Sequence, residues 1–142
     1  MEKEKLLLKY DKPGEFEYPA DFSYDGYLAR FYHFAAVLCE NKIRFYKTDT
    51  TTQDASFIAQ IIIRQRHTDE GIYQAVIRFS NFGRLVSICE NTNELPEKEL
   101  IISLLEKEGF EFIPYDILDR KYDGINKDNV FGSWFIKYFD YI

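Results

Sequence analysis

The spacing of apolar residues changes along the chain, and these changes predict its helices and strands. From Ser23 to Cys39 apolar side chains recur every three or four residues, which predicts an amphipathic helix capped by Ser23. A second helix is predicted to open at Pro96 and to stop at Gly109, with glutamates favourably placed in its first turn. Its predicted buried stripe consists of Leu100, Ile101, Leu104 and Leu105.

Residues 42–90 show the two-residue alternation that is typical of strands. The predicted strands are Lys42–Lys47, Phe57–Arg66, Tyr73–Phe79 and Leu85–Cys89, with turn signals between the later ones. They predict an antiparallel meander. The sequence therefore predicts an α+β fold, with an antiparallel sheet of about four or five strands packed by two or three helices.

The last ten residues are rich in aromatic side chains, which favours a strand. However, Ser133, Lys137 and Asp140 follow helical spacing and would form one polar face, so we favour a helix. No linker rich in glycine, serine or proline divides the chain, so we predict one domain over residues 1–142.

Composition limits the class of protein. The 142 residues include 13 Phe, 11 Tyr and one Trp, and each tyrosine hydroxyl needs a partner or water, so many tyrosines should lie at the core margin. Two isolated cysteines exclude a disulfide framework and indicate reduced, partly buried thiols. No apolar run is long enough for a signal peptide or a membrane span, so we expect a cytoplasmic protein without a membrane partner.

Charge is distributed unevenly. The formal net charge is −6, which argues against a nucleic-acid partner. Residues 90–119 alone hold nine acidic and two basic side chains, a net of −7, whereas residues 40–89 hold five acidic and seven basic ones. Such a block keeps a small protein soluble and complements a helix dipole. It can also attract a basic protein partner by electrostatic steering.

We therefore predict a surface that binds a basic protein, formed by the acidic block and two nearby tyrosines. Its predicted members are Glu94, Glu97, Glu99, Glu106, Glu108, Glu111, Tyr115, Asp116, Asp119 and Tyr122.

Motifs for catalysis are absent from the sequence. There is no phosphate-binding glycine loop, no zinc motif and no nucleophile elbow, so we predict no cofactor, no metal and no enzyme. His33 is expected to be either a hydrogen-bonded histidine or a histidine at the core margin. Two alternatives stay open: an enzyme site assembled around His67 beside turn carboxylates, and a ligand pocket lined by Tyr73, Phe79 and Trp134.

The overall character resembles a known group of proteins. A small acidic α+β chain, rich in tyrosine and phenylalanine and without a catalytic motif, is similar to the small immunity proteins encoded beside bacterial polymorphic or contact-dependent toxins. The closing segment 133–142 also resembles the C-termini of small uncharacterised bacterial proteins. The resemblance implies a non-enzymatic inhibitor that binds one cognate toxin, and it carries over no individual residue.

Overall fold

Five strands form one open sheet in which neighbours in space are also neighbours in sequence. In the computed structural model the described residues are 2–16, 18–51, 56–69, 71–90, 95–126 and 131–140. The strands are β1 (Lys47–Asp49), β2 (Phe57–Thr68), β3 (Gly71–Ser80), β4 (Leu85–Glu90) and β5 (Glu111–Phe112). The first four are antiparallel, and β5 runs parallel to β4. The predicted α+β class and the antiparallel meander are confirmed.

The helices are α1 (Glu2–Lys9), α2 (Tyr24–Glu40), α3 (Lys98–Lys107), α4 (Tyr115–Leu118) and a C-terminal π-helical segment, Ile136–Asp140. Helix α3 supplies the crossover that a parallel pair of strands requires between β4 and β5. The predicted cap of α2 is confirmed, because the Gly26 N–H donates to the Ser23 hydroxyl at 3.4 Å. Helices α1 and α4 were not predicted from the sequence pattern.

Two of the predicted element starts are displaced for local reasons. The first strand begins at Lys47, not Lys42. The chain turns back after α2 through Asn41 and Lys42, and the φ of Lys42 is 60°. Ile43 is buried in this return segment without joining the sheet. Helix α3 begins at Lys98, after a turn closed by the Lys98 N–H and the Leu95 carbonyl. Its predicted stop is confirmed, since Gly109 takes a φ of +89° directly after the helix.

Helices cover both faces of the sheet. On one face α2 and α3 pack on alternate strand residues such as Ile77 and Val86, and this is the larger core cluster. On the other face α1, α4 and the C-terminal segment pack around Phe82, Leu85 and Trp134. Hydrogen bonds from sheet side chains hold this second layer. The Ser80 hydroxyl, for example, donates to the Tyr138 carbonyl at 2.7 Å.

The aromatic side chains divide as composition predicts. Among the described residues, five tyrosines are substantially exposed: Tyr18, Tyr24, Tyr32, Tyr46 and Tyr115. Tyr138, in contrast, is fully buried and donates its hydroxyl proton to the Leu7 carbonyl. That bond, which spans 131 positions, ties α1 to the C-terminal segment. The buried hydroxyl is therefore satisfied by a partner, as a core position requires.

Candidate partner-binding surface

The outer face of α3 is an exposed part of the predicted acidic surface. Glu99, Ser103 and Glu106 face solvent, while Ile101, Leu104 and Leu105 are buried against the sheet. Leu100, which was predicted to be buried, is 47% exposed. It lies about 100° around the helix from Ile101 and so falls at the margin of the buried stripe. An apolar side chain is thereby presented to solvent next to a carboxylate.

Basic side chains from distant elements neutralise much of the acidic block. Glu97 pairs with Arg64 of β2 at 2.7 Å, and Glu111 pairs with Lys9 of α1 at 3.2 Å. Glu106 lies 3.9 Å from the ammonium of Lys3.

His33 adds a further contact on the α2–α3 side. Its Nε2 lies 2.7 Å from the Glu108 Oε1, and the imidazole is largely exposed. His33 is hydrogen bonded, as expected, although it lies on the surface and not at the core margin. Within the described part of the chain, Glu99 and Asp116 have no ion-pair partner within 4 Å.

On the β5 edge, the basic side chains that neutralise the acidic block come mainly from helix α1. Lys3 donates to the Phe112 carbonyl, and the Tyr10 hydroxyl donates to the Glu111 carboxylate. The Tyr10 hydroxyl and Glu111 raise the pKa of Lys9, while burial and Glu111 raise the pKa of Tyr10. The edge strand is thus covered by basic side chains, a common way of protecting an unpaired strand.

The predicted surface does not form one flat patch. Helix α3 lies on one face of the sheet, Glu111 lies on the β5 edge, and α4 lies on the opposite face. Asp116 and Asp119 are exposed on and after α4, and Tyr115 is exposed while its ring packs on Phe135 at 5.1 Å. Glu94 lies outside the described residues.

The Tyr122 hydroxyl is not available to a partner protein, because it belongs to a buried polar cluster. The cluster is formed by Asp11, Tyr122 and Asn126. Asp11 accepts hydrogen bonds from the Tyr122 hydroxyl at 2.8 Å, the Ile125 N–H at 2.9 Å and the Asn126 amide at 3.0 Å. Burial is the main cause of the raised pKa of Tyr122. This network fixes the segment after α1 against residues 122–126.

Lys137 is the buried charge that sequence reasoning missed. Its side chain is fully buried, and its ammonium donates to the Glu15 carbonyl and lies 4.2 Å from the centre of the Phe82 ring. Burial lowers the pKa of Lys137 to about 8, against the opposing effect of Asp11 and Glu15. The helical spacing correctly predicted a helix here, and it placed Lys137 on a polar face. The Glu15 carbonyl and the Phe82 and Phe131 rings surround the ammonium on that face, through long-range contacts that no local pattern encodes.

The predicted ligand pocket does not bring its residues together in the described structure, whereas the alternative enzyme site around His67 stays a prediction. Phe79 belongs to the core between the sheet and α2, whereas Trp134 is buried on the opposite face, so these two side chains do not line one pocket. The Tyr73 and His67 side chains lie outside the described structure. His67 lies within β2, paired with Ile72, and does not open the turn. No described group of three or more His, Cys, Asp and Glu side chains could hold a metal ion.

The thiols differ in environment. Cys39 is exposed, contrary to the expectation of a partly buried thiol, because it faces outward at the end of α2. Cys89 is largely enclosed, and burial raises its pKa to about 11. Neither cysteine forms a disulfide.

Comparison with known proteins returns no matching family model, no matching curated protein and no matching solved structure. Within the described residues, no helix has the length and apolar character needed to cross a membrane. The function is therefore argued from the surfaces and contacts of the chain itself.

Proposed function

We propose that this protein is a cytoplasmic immunity or inhibitor protein that binds and neutralises a basic protein through the outer face of α3. The observation that carries the proposal is the exposed Leu100, which lies at the margin of the buried stripe of α3, on a helix whose outer face exposes the carboxylates of Glu99 and Glu106. An apolar side chain with a charged rim is the composition of a protein-binding surface. The resemblance to small acidic immunity proteins supports the same class of partner.

The internal ion pairs define which acids are available to the partner. Glu97 and Glu108 already accept short contacts from Arg64 and His33. Among the described residues, Glu99 has no such contact, and Glu106 has only a distant, exposed one to Lys3. A basic partner therefore gains most from Glu99 and Glu106, because compensated carboxylates contribute less to the long-range field.

Growth rescue tests this proposal. The chain is co-expressed in a bacterial host with the protein encoded immediately upstream of it, the product expected to be toxic. We expect the wild-type chain to restore growth and Glu99→Lys and Glu106→Lys to restore it less well. The matched control is Asp69→Lys, which makes the same change of charge at an exposed position after β2.

Two results would overturn the proposal. One is an upstream product that is harmless or that the wild-type chain fails to neutralise. The other is equal rescue by Glu99→Lys, Glu106→Lys and Asp69→Lys at matched expression levels. Circular dichroism of each purified variant confirms that a loss of rescue does not reflect unfolding.

A further inference from the structure

A second exposed surface combines aromatic rings with negative charge. Residues 18–30 contain two exposed carboxylates, Asp21 and Asp25, and one basic side chain, Arg30. Three rings in this part of the chain form a continuous series, here called the aromatic strip: Tyr18, Phe22 and Tyr27. The Tyr18 and Phe22 centroids are 5.7 Å apart, and the Phe22 and Tyr27 centroids are 4.9 Å apart. Tyr18, at the outer end, is 55% exposed.

The inner end of the strip already holds a cation. The guanidinium carbon of Arg30 lies 4.7 Å from the centre of the Tyr27 ring. This contact is an internal example of arginine stacking on the strip, because guanidinium groups are attracted to the faces of aromatic rings. The outer ring, Tyr18, has one neighbour in the series and leaves much of its surface in solvent.

Exposed carboxylates accompany the rings. Asp21 is exposed between Tyr18 and Phe22 in sequence, and its charge acts on the Tyr27 hydroxyl. Asp25 is exposed in the first turn of α2, where it stabilises the helix dipole. Asp21 precedes α2 and its Ser23 cap, so interaction with the helix dipole does not explain a carboxylate at this position. Its position beside aromatic rings favours a cation from outside the chain.

We propose that the aromatic strip is a second docking surface, which stacks arginine side chains from a basic segment of a protein partner. Arginine is favoured over lysine because its planar guanidinium stacks on rings and pairs with a carboxylate such as Asp21 at the same time. The inference extends the proposed function, since both surfaces suit a basic protein. Its test does not use that protein, so the inference and the proposed function can each fail independently of the other.

The matched control for the strip is Tyr46. Its ring is 63% exposed, comparable to Tyr18, but the ammonium of Lys47 already lies 5.8 Å from the ring centre. Tyr46 therefore offers the same kind of ring in a basic setting. An arginine peptide that binds tyrosine rings indiscriminately will perturb both residues, whereas a specific strip will select Tyr18.

The test is a titration of the full chain, labelled with ¹³C in its tyrosine rings, with an end-blocked hexaarginine peptide at low salt. We expect saturable shifts of the Tyr18 and Tyr27 ring signals, with hexalysine binding more weakly. Tyr18→Ala should weaken the peptide affinity roughly two- to fivefold, as expected for an exposed cation–π contact, and Tyr46→Ala should leave it unchanged.

Equal shifts of the Tyr46 and Tyr18 signals, or an unchanged affinity of Tyr18→Ala, would overturn the inference. Binding that is lost in Glu99→Lys but kept in Tyr18→Ala would also overturn it, while leaving the α3 proposal in place. Conversely, failure of growth rescue together with selective shifts of Tyr18 would support the strip alone. Asp21→Asn should reduce peptide affinity and its dependence on salt.

Discussion

Replacement of the buried Lys137 by methionine tests whether this charge costs stability. The side chain is fully buried under residues 11–16, and burial lowers its pKa from 10.5 to about 8. The unfolded chain then binds more protons than the folded chain between these two values. The sign follows directly: the free energy of unfolding rises as the pH increases through this window.

The expected magnitude can be worked from the two pKa values. For pKa values of about 8 folded and 10.5 unfolded, this group alone raises the free energy of unfolding by about 2 kcal/mol between pH 7 and pH 9.5. The free energy of unfolding stops rising above pH 10. Burial raises the pKa of Tyr138 in the folded chain, so at high pH this tyrosine ionises more readily in the unfolded chain and favours unfolding. The free energy of unfolding of Lys137→Met lacks this lysine contribution and should therefore depend less on pH than that of the wild type.

Urea unfolding followed by the fluorescence of Trp134, the single tryptophan, provides the assay. This indole is buried and donates to Asp123 at 3.1 Å, so its emission should change on unfolding. Lys5→Met, a change at an exposed lysine of α1, is the control and should keep the wild-type pH dependence. A wild-type stability that is flat or falls from pH 7 to pH 9.5 would refute the reasoning, even if Lys137→Met does not fold.

Three further predictions concern the packing of the chain. Gly83→Ala should destabilise the fold by about 2 kcal/mol or more in urea unfolding, because φ is +59° and a Cβ would overlap the Tyr10 ring; an unchanged midpoint would contradict this contact. Tyr122→Phe should cost about 1–2 kcal/mol in the same assay, since it leaves a buried carboxylate short of a donor. Iodoacetamide should label Cys39 in the folded protein, and Cys89 only after unfolding, as mass spectrometry of the peptides will report.

The sequence pattern predicted those helices and strands that depend on residues close together in the chain. The helix after Ser23, the meander and the stop at Gly109 depend on periodicity, caps and turns, and the structure contains all of them. The parallel β5 depends on a crossover, and its pairing with β4 at Leu85 and Glu111 joins residues far apart in sequence. No periodicity within the segment encodes such a pairing.

The charge pattern shows the same limit more clearly. A count along the chain gives the acidic block its net charge, but the compensating charges come from 33 positions away for Arg64 and 102 for Lys9, and the imidazole that contacts Glu108 comes from 75 positions away. Only the folded chain shows which carboxylates are left to a partner. The spacing of Lys137 likewise predicted a polar face but not its burial, because the Glu15 carbonyl that it contacts lies more than 120 positions earlier.

The central claim is that Glu99 and Glu106 on the outer face of α3 capture a basic protein. The most direct measurement is the association rate of the purified chain with the upstream-encoded protein used in the growth-rescue test, by stopped flow over a series of salt concentrations. We predict a wild-type rate that falls steeply with salt, and a rate for Glu99→Lys/Glu106→Lys that is roughly tenfold lower at low salt and less dependent on it. Equal rates and equal salt dependence for the wild type and this variant would contradict the claim.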